Sequence, residues 1–217
     1  MTRIKICGIT NLEDAQCAAA CGADAIGFVF AESPRRVSSA LAREIMAEME
    51  PFVTGVGVFV NETVEEVRGA LQVSGCTVAQ LHGDEGEDYL RALAPYAVVK
   101  ALRVGSEEPQ ARGRTAVRPY EAYRRASAIL LDTYVPGQAG GTGQRFDPAI
   151  AAEMVKEGWR VIVAGGLTPE NVSEVVTFIR PYGVDVSSGV EAAPGKKDHD
   201  KVARFIEAVR AAERGER

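Results

Sequence analysis

Two apolar runs in this sequence end in a group that can move a proton: "IKIC" ends in Cys7 and "AILLD" ends in Asp132. A thiol and a carboxyl delivered to one site could act as base and acid. A thiol ordinarily titrates near 8.5, and nearby cations or helix dipoles lower that value toward neutrality. Lys5, two residues before Cys7, points the same way along an extended strand and could supply such a charge. The plainer reading is that Cys7 is one more small buried side chain. Asp132 is costly to bury unless it is hydrogen-bonded or used, so a catalytic role stands beside a role in capping a loop or a helix.

Other residues suit the recognition of a charged small molecule. Arg35 and Arg36 lie in "AESPRRV", where one guanidinium could clamp a carboxylate with paired hydrogen bonds, or both could be solvated surface. His82 in "QLHG" is either a site residue or a satisfied loop histidine, and His199 in "KKDHD" reads as exposed. Gly165 and Gly166 in "AGGLTPEN", and Ser188 and Gly189 in "VSSGVEAAPG", would let backbone N–H groups approach an anion closely. Gly165 and Gly166 could equally serve only a tight turn. Two such loops following neighbouring strands point to a phosphorylated small-molecule substrate.

The elements that would position these groups repeat one unit, a short Val/Ile/Leu-rich run followed by a helical pattern. Eight runs are visible: Ile4–Cys7, Ala25–Phe30, Gly55–Val60, Val78–Leu81, Val98–Leu102, Ile129–Leu131, Val161–Ala164 and Val184–Val186. None alternates cleanly between apolar and polar, as expected of parallel strands covered on both faces. Helix starts are expected at Thr10 with Glu13 as a capping box, at Ser38, at Asn61, at Asp147 with Pro148, and at Thr168 with Pro169. Gly22 and Pro51 read as stops. Residues 103–127 look like a long loop in which only Tyr120–Ala126 suits a brief helix.

This alternation predicts a single-domain α/β fold, a closed (β/α)8 barrel of eight parallel strands, in which functional residues sit at the C-terminal strand ends. A doubly wound open sheet is the alternative, but the first turn is "CGITN" and carries no glycine-rich dinucleotide fingerprint. The strand-end rule also brings in Asn61, Gln80, Lys100, Arg103 and the loop "GQAGGTGQRF", whose glycines mark residues 137–144 as a candidate lid. Within 217 residues, 46% are hydrophobic and the net charge is -5, which suits a globular chain and argues against nucleic-acid or anionic-membrane surfaces. With no long apolar stretch and no paired zinc spacing among four cysteines, the expectation is a cytoplasmic protein with free thiols. Cys17 and Cys21 would share a helix face as ordinary packing.

Taken in order, "KICGIT", "GADAIGFVF" with "SPR", "VGVFVN", "QLHG", "LLDT" with "GGTG" and "FD", "AGGLTPENV" and "GVDVSSGVEAAPGKKD" resemble the phosphoribosylanthranilate isomerases of tryptophan biosynthesis, essentially end to end. That resemblance implies an Amadori rearrangement by an aldose–ketose isomerase with no cofactor and no metal. It implies Cys7 as general base, Asp132 as general acid and Arg35 facing the anthranilate end. Phosphate would lie against Gly165, Gly166, Ser188 and Gly189, and the chain would be a monomer or homodimer. The role of Asp185 stays unassigned. Pro148 follows Asp147 where the family commonly has tryptophan, and residues 105–119 match no motif. Rival readings are a related or bifunctional isomerase of histidine biosynthesis, which would carry aspartate at position 7, a catalytically silent phosphometabolite-binding barrel, and a redox-sensing thiol protein.

Overall fold

The computed structural model describes residues 1–103, 118–132 and 148–215. Eight parallel strands close into a barrel in chain order: β1 Arg3–Cys7, β2 Ala25–Val29, β3 Thr54–Phe59, β4 Val78–Leu81, β5 Ala97–Arg103, β6 Ala128–Asp132, β7 Val161–Ala164 and β8 Gly183–Val186. β8 pairs with β1 in parallel, with Lys5 opposite Asp185, and this seam leaves no open edge. Every expected strand forms, within two residues at each end.

Helices α1 Leu12–Cys21, α2 Ser39–Ala47, α3 Val64–Ser74, α4 Glu87–Ala92, α5 Pro148–Lys156, α6 Val172–Ile179 and α7 His199–Arg214 surround the strands. A 3₁₀ turn over Arg118–Tyr123 precedes β6, close to the brief helix expected there. A short hairpin, β9 Glu191–Ala193 and β10 Lys196–Lys197, comes between β8 and α7 and was not foreseen. The candidate lid at 137–144, the Asp147 cap and most of the unmatched stretch 105–119 lie outside the described residues. Among the described residues, no helix is long and apolar enough to cross a membrane.

Alternate residues along each strand serve two compartments. Ile4, Ile6, Ile26, Phe28, Leu131, Val163, Val184 and Val186 belong to the core shared with the helices. Val99, Ala101, Ala128, Leu130 and Ala164 form a separate, smaller cluster inside the barrel. Lys5 and Cys7 therefore share the inward side of β1, while Ile4 and Ile6 face the helices.

Three helix starts differ from expectation. Asn11 caps α1, its side chain accepting from the Asp14 N–H, because the Thr10 hydroxyl donates instead to the Gly195 carbonyl and ties the hairpin to β1. Thr63 caps α3 in a reciprocal capping box with Glu66, whereas Asn61 has φ +62 and accepts from the Asp84 N–H at 2.7 Å. Thr168 opens a turn, and α6 begins only after Asn171. Ser38 caps α2 as expected, and Gly22 ends α1 at φ +100, a conformation that suits glycine. Helix α2 stops at Ala47, before Pro51.

The Thr63 cap carries a stability expectation. Thr63→Ala should cost about 1 kcal/mol in chemical denaturation, and an unchanged midpoint would contradict the assignment of the cap.

Candidate active site

At the C-terminal ends of the strands lies a cavity of about 280 Å³. Its wall includes Cys7 from β1, Arg35 from the loop after β2, Gln80 and His82 at the end of β4, and Asp132 from β6. Gly165 and Gly166 come from the loop after β7, and Asp185, Ser187, Ser188 and Gly189 from β8 and its loop. All eight residues expected at a site from the sequence are brought together here. A larger groove of about 730 Å³ runs over the outer surface by α5 and α6, but no strand end lines it.

The loops after β7 and β8 are shaped by glycine where no side chain fits. Gly165 and Gly166 have φ +84 and +63, so the chain turns away from β7 with its backbone presented to the cavity. A Cβ on Gly189 would lie 1.8 Å from the Leu167 carbonyl oxygen, a collision with backbone that cannot move aside cheaply. The two loops thus interlock, and their exposed polar backbone suits an anion.

Asp132 is partly exposed, and His82 lies beside it, with Nε2 3.4 Å from Oδ2. The Gln80 amide lies 3.4 Å from Nδ1 of the same ring, so an amide donor there leaves the ring proton on Nε2, aimed at Asp132. The His82 loop is itself clamped: Lys100 Nζ is 2.8 Å from Glu85 Oε2 and also donates to the Gly83 carbonyl at 2.5 Å. Glu85 further accepts from the Gly83 and Asn61 N–H groups. Lys100 and Asn61, grouped with the strand-end candidates, line no part of the cavity; they hold the loop that does.

Arg35 reaches the cavity, but the carboxylate it clamps belongs to the chain. Its Nε and Nη2 each donate to Glu191 at 2.7 Å. Lys197, wholly buried, lies 3.0 Å from the same carboxylate. Burial works against the Glu191 carboxylate, yet Arg35 and Lys197 outweigh it and hold its pKa at about 2. The hairpin of β9 and β10 carries Glu191 and Lys197 to Arg35, an arrangement that "VEAAPGKKD" did not reveal because it read as a loop. Arg36 is exposed, in keeping with the surface reading. His199, which reads as exposed, is only partly so and pairs with buried Asp14 at 2.8 Å.

Cys7 is 8% exposed. Burial pushes its thiol above the ordinary range, and Lys5 pulls the other way without reversing the shift. The lowering toward neutrality that a nearby cation could give is therefore not reached. Asp185, unassigned from the sequence, lies in the cavity wall and binds Lys5 Nζ at 2.9 Å. Among the described residues its other oxygen, Oδ1, is buried with no hydrogen-bond partner.

Residues 4–208 match the family model described as N-(5'-phosphoribosyl)anthranilate isomerase. The protein of that name from Acidithiobacillus ferrooxidans is 49% identical over 212 residues, which is 97% of this chain and 98% of the relative. The crystal structure of phosphoribosyl anthranilate isomerase from Thermotoga maritima is 44% identical, with a TM-score of 0.85 over 97% of this chain and all of that one. A structure of the isomerase in complex with reduced 1-(o-carboxyphenylamino)-1-deoxyribulose 5-phosphate is 42% identical, with a TM-score of 0.82 and the same coverage.

The cluster under Arg35 makes the mouth of the cavity sensitive to acid. Glu191 titrates at about 2 in the folded chain against an ordinary 4.5, so its contribution to stability is present above pH 4.5 and is lost as pH falls toward 2. Glu191→Gln should flatten this part of a plot of urea midpoint against pH. An unchanged acid slope in the variant would contradict the pairing.

Proposed function

The chain belongs to the N-(5'-phosphoribosyl)anthranilate isomerase family and catalyses that isomerisation in tryptophan biosynthesis, and we propose that it does so between Cys7 as general base and Asp132 as general acid. The observation that carries the assignment is that these two groups, from strands on different sides of the barrel, line one cavity with the glycine and serine loops of β7 and β8.

Asp132 protonates the ring oxygen of the ribose, the C–O bond breaks, and the anilino nitrogen lends its electron pair to form a Schiff base. The carboxylate left behind is hydrogen-bonded by His82. The Cys7 thiolate then takes the proton from the second ribose carbon, and the electron pair released gives an enolamine. Ketonisation yields 1-(2-carboxyphenylamino)-1-deoxyribulose 5-phosphate. The acid must start protonated and the base ionised, so the two sites need opposite tuning. Burial works against the Cys7 thiolate and the Lys5 ammonium favours it.

The phosphate sits against the backbone of Gly165, Gly166, Ser188 and Gly189, which fixes the reacting carbon by its far end. Arg35 meets the anthranilate carboxylate with Nη1, the nitrogen that its fork on Glu191 leaves over. The protein acts as a monomer or homodimer; one related structure is of monomers generated from the dimeric isomerase of Thermotoga maritima. A phosphorylated sugar intermediate places the work in the cytoplasm.

Fluorescence-monitored turnover of freshly prepared phosphoribosylanthranilate tests the assignment. Cys7→Ser and Asp132→Asn should each lower kcat by roughly 10² to 10⁴ while KM stays close to that of the unaltered chain. Full rate in either variant would remove that residue from its role.

A further inference from the structure

The proposed reaction leaves one buried cation unexplained. Lys5 is 7% exposed inside the barrel, where an ammonium is costly unless its donors are met. Two acceptors meet it from opposite walls: Asp185 Oδ2 of β8 at 2.9 Å and Gln80 Oε1 of β4 at 2.9 Å. An ammonium has three N–H groups, so one remains.

Gly27 of β2, level with Cys7 in the sheet, shows how near the two inward side chains of β1 come to one point. A Cβ at position 27 would be 2.8 Å from Lys5 Cε and 2.9 Å from Cys7 Sγ. Both side chains thus border the space that any larger residue at position 27 would need. We propose that Lys5 is a positioning residue for Cys7: Asp185 and Gln80 fix the ammonium, and its remaining N–H holds the sulfur as a thiolate aimed into the cavity. The proposal rests on the reading of Cys7 as the general base.

In the step concerned, the C–H bond at the second ribose carbon breaks, an S–H bond forms, and the electron pair enters the enolamine. Lys5 keeps all three protons throughout. Its charge first balances thiolate and Asp185 together and then Asp185 alone. Other charged groups also act on the sulfur: Asp185 opposes the thiolate, Lys197 of β10 favours it, and Arg35 interacts with it. His82 and Asp132 face it from elsewhere in the cavity wall. Burial opposes the Lys5 ammonium, but Asp185 and Cys7 together more than offset this.

The test is the pH dependence of Cys7 alkylation by iodoacetamide, with Cys7→Ser as the blank, in the unaltered chain, Lys5→Met and Asp185→Asn. Lys5→Met should move the midpoint up by about one pH unit or more, which is about tenfold slower alkylation below it. Asp185→Asn should move it down, since an opposing charge is gone. In Lys5→Met, kcat should fall with KM little changed and recover as pH rises. A folded Lys5→Met variant with an unmoved midpoint overturns the proposal. If stranding Asp185 prevents folding, Lys5→Met/Asp185→Asn is compared with Asp185→Asn alone: a higher midpoint supports the role and an equal one overturns it. Full turnover by Cys7→Ser would instead sink the reading of Cys7 as base, whatever the alkylation midpoints show.

Discussion

The ion pair between Lys5 and Asp185 spans the seam where the first and last strands meet, and the geometry of the mouth depends on that seam. The two residues are opposite one another in the β1–β8 register and 2.9 Å apart. A buried pair of this kind is expensive to assemble because both charges leave water, and removing one partner typically costs about 3–5 kcal/mol. A one-residue slip of β8 against β1 would separate the charges and turn Asp185 toward the apolar helical layer. Polar residues inside the barrel therefore favour a single register, and that register sets Cys7 and the β8 loop side by side.

Two further buried charge clusters extend the same principle around the mouth. Lys100 with Glu85 holds the loop that carries His82, on the far side of the sheet from the cavity. Arg35, Glu191 and Lys197 tie the loop after β2 to the hairpin that follows β8. Each cluster supports a loop bearing a site residue, and Glu85, Lys100, Glu191 and Lys197 are buried, so their pairing is shared little with water. The cavity is thus bordered by loops, yet its side chains are held by internal pairs anchored on strands and on one another. Asp132, at the end of β6, is the exception; it is partly exposed and its neighbour is His82. A group that must give up a proton and regain it gains from that access.

Much of this was legible in the sequence because strands in a parallel barrel are apolar runs bounded by turns, and all eight runs formed strands. The site residues were legible for a related reason: the fold sends chemistry to strand ends, and Cys7, Asp132 and the glycines of both loops stand there. Local capping was read less well. Thr10, Asn61 and Thr168 all have the side chains of helix caps, but each is engaged in a loop contact or turn, and a neighbour one to three residues on took the role. Partners distant in sequence were not legible at all. Nothing local to Glu191 says that Arg35, 156 positions away, will fork onto it, and Lys5 meets Asp185 only because the barrel closes.

The central claim is that the phosphate, held by the loops after β7 and β8, places the second ribose carbon between Cys7 and Asp132. A crystal structure of this chain with reduced 1-(o-carboxyphenylamino)-1-deoxyribulose 5-phosphate measures that directly. The account predicts the phosphate on the backbone of Gly165, Gly166, Ser188 and Gly189, with the former second carbon in contact with Cys7 Sγ and Asp132 on the sugar-oxygen side. A phosphate bound elsewhere, or that carbon out of reach of Sγ, would contradict it.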